Sequence, residues 1–100
     1  MKAASRETVS VTVELFGHAR LVCGRKEIAL QLPSELTSSD LAGALYTSAP
    51  SLKGVVVDES GLGLMASYTA NLNGHSFLES SPLRTEEGDR IFVFSSQAGG

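Results

Sequence analysis

Arg90-Ile91-Phe92-Val93-Phe94-Ser95-Ser96-Gln97-Ala98-Gly99-Gly100 decides how this chain is read. Its first five residues hold four apolar side chains in succession, with no polar alternation. A strand apolar on both faces belongs in the middle of a sheet, where both faces are covered. After it come small and polar residues, and the last two are glycines. A central strand at the end of a chain must find neighbours earlier in the sequence.

The first neighbour is Thr8 to Phe16. Val9, Val11, Val13 and Leu15 alternate with Thr8, Ser10, Thr12 and Glu14, and a period of two rich in β-branched residues is a half-buried strand. Gly17 to Gly24 reads as a turn. Lys26 to Leu32 alternates again, with Ile28, Leu30 and Leu32 in phase, and Pro33 stops it. The pair is expected as a hairpin with a long connection. Thr37, Ser38, Ser39 and Asp40 all suit a helix N-cap, and Leu41, Ala44, Leu45 and Ser48 recur at helical spacing up to Pro50. Val55-Val56-Val57 fits either a strand or a buried crossover, and Asp58 to Gly63 is loop. Ser67 to Leu72 reads as a third strand. Asn73-Gly74 supplies the two positive-φ residues of a type I′ hairpin turn, with His75-Ser76-Phe77 returning from it. Pro82 and Leu83 lead to an acidic turn, Thr85 to Asp89. The N-terminal strand is the natural parallel partner of the last one. The expected fold is α+β: a β-grasp, with a mixed sheet of four to five strands on one main helix.

One hundred residues make a single domain, 1–100, with 1–7 expected as a flexible N-terminus and 95–100 as a flexible tail. At 42% hydrophobic and 19% charged, the chain can build one core and does not fall among disordered sequences. No apolar run is long enough to span a bilayer, and the N-terminus lacks a secretory apolar stretch, so the expected location is the cytoplasm, with no membrane partner. The net charge of −3 sits in residues 51–100, while the first half sums to zero. Without a basic stripe, nucleic acid is not expected as a partner; the acidic half suits a basic protein or is a solvated face. Cys23 is the only cysteine, which excludes an internal disulfide and a thiolate zinc site, and it reads as passive. His18 and His75 lack partners at ligand or catalytic spacing. No nucleophile–base pair, metal cluster or phosphate loop is present, so no bound cofactor and no metal are expected.

The tail carries the chemistry. At a glycine usage of about 7%, a Gly-Gly end arises by chance in about one chain in 200. Glycine lacks Cβ, so such an end can thread a narrow channel and deliver a carboxylate into another protein's active site. There the carboxylate can attack the α-phosphate of ATP to give an acyl-adenylate, which sulfur can displace. The chain would supply the acyl group; the partner would supply the catalytic residues and use the ATP. The chain itself is expected not to be an enzyme.

Several segments resemble the MoaD/ThiS superfamily of ubiquitin-like sulfur carriers, nearest the molybdopterin synthase small subunit. They are Val13-Glu14-Leu15-Phe16-Gly17-His18-Ala19-Arg20, Asp58-Glu59-Ser60-Gly61-Leu62, Leu72-Asn73-Gly74, Glu87-Gly88-Asp89-Arg90-Ile91 and Ala98-Gly99-Gly100. The resemblance implies that Gly100, preceded by Gly99, is adenylated by an activating enzyme and converted to a thiocarboxylate. It implies a sulfur-accepting partner such as a molybdopterin synthase large subunit, contacted through Phe92, Phe94 and Ala98. Many such subunits carry two prolines before the tail, where this chain has Ser95-Ser96, which leaves carriers for cysteine, thiamine or tRNA thiolation open. A ubiquitin-like modifier joined to lysines through Gly100 uses the same adenylate. A third reading is a β-grasp interaction module with an idle tail. Lys53 would be an acceptor only if the chain is joined to copies of itself; otherwise it is a solvated helix-end lysine. Alternation puts Ile91 and Val93 on the helix side and Phe92 and Phe94 on the open side, as a docking surface unless a loop covers them.

Overall fold

The computed structural model describes residues 7–96. The elements are β1 (Thr8–Leu15), α1 (Gly17–Cys23), β2 (Glu27–Pro33), β3 (Glu35–Leu36), α2 (Ser38–Ser48), β4 (Tyr68–Leu72), β5 (Ser76–Phe77), β6 (Leu83–Arg84) and β7 (Arg90–Ser95), with a 3₁₀ turn at Pro50–Leu52. Five strands form one sheet in the order β2-β1-β7-β4-β5. β1 pairs antiparallel with β2 and parallel with β7, and β4 is antiparallel to β7 and β5. The last strand is therefore central and lies parallel to the first, as in the expected β-grasp.

Register sorts the side chains. Ile28, Val13, Ile91 and Leu72 are successive cross-strand partners, and so are Leu15, Val93 and Ala70. All of them are buried. Side chains directly opposite one another share a face of the sheet, so these rows form the floor of the core. α2 lies above them. It buries Leu41, Ala42 and Leu45, with Ala49 buried at its C-cap, while Ala44 is partly buried and Ser48 is exposed. The expected stripe through Ser48 is thus shifted, because Ala42 and Ala49 face the sheet. Thr37 starts the helix with a capping box: its hydroxyl accepts from the Asp40 N–H at 3.2 Å, and the Asp40 carboxylate accepts from the Thr37 N–H at 3.1 Å. Val56 and Val57 are fully buried in the crossover after α2. They belong to no strand, although isolated bridges tie Val57 to Lys53 and Leu64.

The local structure adds to the reading of the sequence at several points. Gly17 to Gly24 is not a simple turn: Gly17–Cys23 is a helix that buries Ala19 and ends on Gly24 at φ 77°. Its short length hides the 3.6-residue period. β3 and β6 form a separate two-stranded ladder, Glu35↔Arg84 and Leu36↔Leu83, too short to leave an alternation. The last strand continues through Ser95, and Ser96 is tied down too: its N–H donates to the Ser67 carbonyl at 2.7 Å and its hydroxyl to the Ala66 carbonyl at 3.1 Å. Glu7 likewise is held, its carbonyl accepting from the Ser34 N–H at 2.9 Å. Asn73 and Gly74 take φ of 56° and 78°, the pair of left-handed conformations that a type I′ turn requires.

Candidate functional site

β7 presents opposite faces to core and solvent. Ile91 and Val93 are fully buried, whereas Phe92 and Phe94 are half-buried on the face away from α2. The row across that open face is Glu27, Glu14, Phe92, Asn71 and Phe77, each opposite the next in register. Phe16, Asn71, Gly74, Phe92 and Phe94 line an apolar groove of about 440 Å³. Phe16 partly covers it. Its ring lies 6.1 Å from that of Phe92, tilted by 49°, within the range of a favourable aromatic pair. Among the described residues the covering is a single side chain at the N-cap of α1, and Phe16 is itself 41% exposed. Phe77, at the edge strand, is 57% exposed.

Two polar features accompany the aromatics. Asn71 is buried between Phe92 and Phe77 in register, and its Oδ1 has no hydrogen-bond partner among the described residues. A buried carbonyl left unpaired costs on the order of 1–3 kcal/mol, so its place in an otherwise apolar groove is not explained by folding. At the other side of Phe92, Glu14 and Glu27 stand directly opposite in the β1–β2 ladder, a repulsive arrangement by itself. Arg90 resolves it, its Nη1 donating to Glu14 Oε1 at 3.1 Å and to Glu27 Oε2 at 2.8 Å. The hydrogen bond to Glu27 is the main cause of a raised Arg90 pKa, and the hydrogen bond from Arg90 lowers that of Glu27.

The structure thus brings Phe92 and Phe94 together on an open face. Ala98, Gly99 and Gly100 lie outside the described residues, but the strand that leads to them ends at Ser95, one residue past Phe94. Sequence reading missed Phe16 and Asn71 as members of the groove. A signal for Phe16 existed: with Val13 and Leu15 facing inward, alternation sends Phe16 to the opposite face. Lys53 carries its Nζ 5.8 Å from the centroid of the Tyr46 ring, a cation–π contact that accounts for its position. Cys23 is partly buried against the core. Among the described residues no cluster of His, Cys, Asp or Glu could hold a metal, and no helix is long and apolar enough to cross a membrane.

No family model and no curated protein matches this chain. Solved structures do. Small archaeal modifier protein 1 (SAMP1) of Haloferax volcanii superposes with a TM-score of 0.72 at 24% identity, covering 91% of this chain and 99% of its own. SAMP1 of Methanosarcina acetivorans gives 0.71 at 26%, covering 94% and 99%. A Pyrococcus furiosus protein described as molybdopterin converting factor, subunit 1, gives 0.62 at 25%, covering 87% and 97%.

Proposed function

We propose, from the premise that this chain is a ubiquitin-like protein of the MoaD/ThiS superfamily, that it is a carrier whose reactive group is the carboxylate of Gly100. In the first step a carboxylate oxygen attacks the α-phosphate of ATP in an activating enzyme, forming an acyl-adenylate and releasing pyrophosphate. In the second, hydrosulfide attacks the acyl carbon and AMP leaves with the bonding pair, giving the thiocarboxylate. Where the sulfur arrives as a donor's persulfide, the acyl disulfide that forms is cleaved by a thiol reductant, which becomes the new disulfide partner of the donor. The chain contributes the acyl group and a rigid grip. A partner such as a molybdopterin synthase large subunit then takes the sulfur for molybdopterin. Ala98 and Gly99 offer little steric bulk to a narrow channel.

The observation that carries this reading is the common origin of the tail and the docking face. β7 is central, its helix-side residues are fully buried, and Ser96, hydrogen-bonded just after the strand, lies two positions beyond Phe94. A partner that seats Phe92 and Phe94 therefore holds the base of the tail in a fixed place. Fixing one end converts the delivery of Gly100 into a nearly intramolecular event.

Intact mass spectrometry of the protein from its native cells tests the chemistry. A gain equal to one oxygen replaced by sulfur, lost on deletion of Gly99 and Gly100, is expected; an unmodified chain in cells actively making the product would refute it. Phe94→Asp tests the grip, with a loss of partner affinity expected while the fold survives. A second reading, conjugation to lysines as a protein modifier, is favoured by the likeness to two small archaeal modifier proteins. It predicts ladders of heavier conjugates rather than the sulfur-bearing chain alone.

A further inference from the structure

β2 is an outer strand: in the order β2-β1-β7-β4-β5 it has β1 on one side and, among the described residues, no strand on the other. Two hydrogen bonds fix which of its backbone groups face outward. The Leu15 N–H donates to the Lys26 carbonyl at 2.8 Å, and the Ser34 N–H to the Glu7 carbonyl at 2.9 Å. Register pairs of an antiparallel ladder are hydrogen-bonded alternately, and the β1–β2 register runs unbroken from Thr8↔Pro33 to Glu14↔Glu27. Ile28, Leu30 and Leu32 therefore bond to β1, while Glu27, Ala29 and Gln31 turn both N–H and C=O away from it. Among the described residues no hydrogen bond reaches these six groups, and all three residues are exposed.

Sheets blunt such an edge with a bulge, a proline, a lysine or a covering segment. This one is closed only at its ends. Pro33 has no N–H, and its carbonyl accepts from the Thr85 hydroxyl at 3.0 Å. At the other end the chain bends at Lys26, just after the left-handed Gly24. The window between them is self-complementary. A two-fold axis through Ala29 pairs that residue with its own copy, and Glu27 with Gln31 in both directions, so that all six outward groups of each chain are used. Sliding the copy by two residues one way sets Glu27 against Pro33; sliding it the other way sets Gln31 against Arg25, outside the strand. The same register matches side chains on the open face. Gln31 gives one amide N–H to Ser10 Oγ and keeps the second, while Glu27 accepts from Arg90 at Oε2 and keeps Oε1. The amide of one copy thus meets the carboxylate of the other, and the two Glu27 side chains never face each other. Charges around the junction are mixed, with Lys26 beside Glu27 and Glu35 opposite Arg84. Arg25 of one copy falls opposite Pro33 of the other, next to Ser34 and the exposed Glu7 that is tied to it.

We propose that β2 pairs antiparallel with β2 of a second copy of this chain, about a two-fold axis through Ala29, and joins the two five-stranded sheets into one. Main-chain hydrogen bonds supply the attraction, and the Glu27–Gln31 contacts set the register. The junction is narrow, so the dimer is weak and depends on concentration. Its axis is perpendicular to the sheet, which places the open faces of both copies on the same side. β7 stays two strands away from the junction in each copy, so pairing leaves Phe92 and Phe94 uncovered. The inference does not depend on the chemistry at Gly100.

The test is sedimentation equilibrium of the full chain from about 10 µM to about 1 mM, with amide hydrogen exchange at both limits. The average mass should climb from one chain towards two, and the amides of Glu27, Ala29 and Gln31 should exchange more slowly in the concentrated sample alone. Ala29→Glu sets two carboxylates against each other at the axis and should weaken the dimer about tenfold or more. Its ¹⁵N spectrum at low concentration shows that the exposed substitution leaves the fold intact. Mixing Ala29→Glu with Ala29→Lys should restore dimers, because the axis then carries opposite charges. A chain that stays monomeric at about 1 mM would overturn the proposal, even if an added extended Thr-Val peptide slowed the same three amides, since the edge would then take a foreign strand. So would a dimer that Ala29→Glu leaves unchanged, or one that protects Phe77 at the opposite edge instead.

Discussion

Replacing Asn71 with leucine should make this protein more stable. The two side chains have the same number and branching of heavy atoms, so the substitution exchanges an amide for two methyl groups with little change of shape. Asn71 is buried in β4, and its Oδ1 accepts no hydrogen bond from the described residues. Its cross-strand neighbours on that face are Phe92 and Phe77, which offer no donor. Removing an unsatisfied buried carbonyl recovers about 1–3 kcal/mol, and leucine adds apolar contact with the rings of the groove. For a domain of this size each kcal/mol moves Tm by about 4–8 °C. Urea unfolding of the full chain is the suitable assay, because a changed midpoint with an unchanged slope isolates stability from compactness. A gain of about 1 kcal/mol or more, accompanied by weaker binding to the partner, would show that the amide is kept for recognition at a cost in stability. A loss of stability would refute the reasoning, since it would mean that the oxygen is hydrogen-bonded in solution and the groove floor is wet.

Arg90→Met keeps the aliphatic stem but leaves Glu14 and Glu27 facing each other, so it should lower stability at neutral pH. Because Arg90 holds the Glu27 pKa below its usual value, the contribution is present above the normal carboxylate range and fades as pH falls through it. Denaturant midpoints of the two proteins should therefore converge in acid, and a constant gap would refute the assignment. Gly61→Ala should cost about 1–3 kcal/mol. Gly61 has φ of 77°, and a Cβ there would collide with the Tyr46 ring; Tyr46→Ala should relieve the collision but not the backbone strain, which a double-mutant cycle measures. Thr37→Ala removes the capping box at the start of α2 and should cost about 1 kcal/mol in the same assay. An unchanged midpoint would mean that the cap contributes nothing in solution.

Much of the fold was legible because β1, β2 and β7 obey simple periods. Val11, Val13 and Leu15 face the core because the side-chain period of a strand is two, and that parity is written in the sequence. Asn73-Gly74 was legible because few residue pairs tolerate two successive positive φ values. α1 was not, because seven residues make barely two turns and its only fully buried side chain is Ala19. Nor was the β3–β6 ladder, whose two-residue strands are fixed by contacts about 50 residues apart along the chain.

The candidate site divides in the same way. Sequence alone named Phe92 and Phe94 as outward-facing, since it placed Ile91 and Val93 inward, and it singled out Gly99 and Gly100 by composition. Only the tertiary structure brought Phe16 onto Phe92, set Asn71 between two aromatic neighbours, and let Arg90 span two glutamates that are 13 residues apart in sequence. Periodicity along a strand tells which face a side chain occupies. Which side chains share that face depends on strand order and register, and these are set by the packing of the whole core.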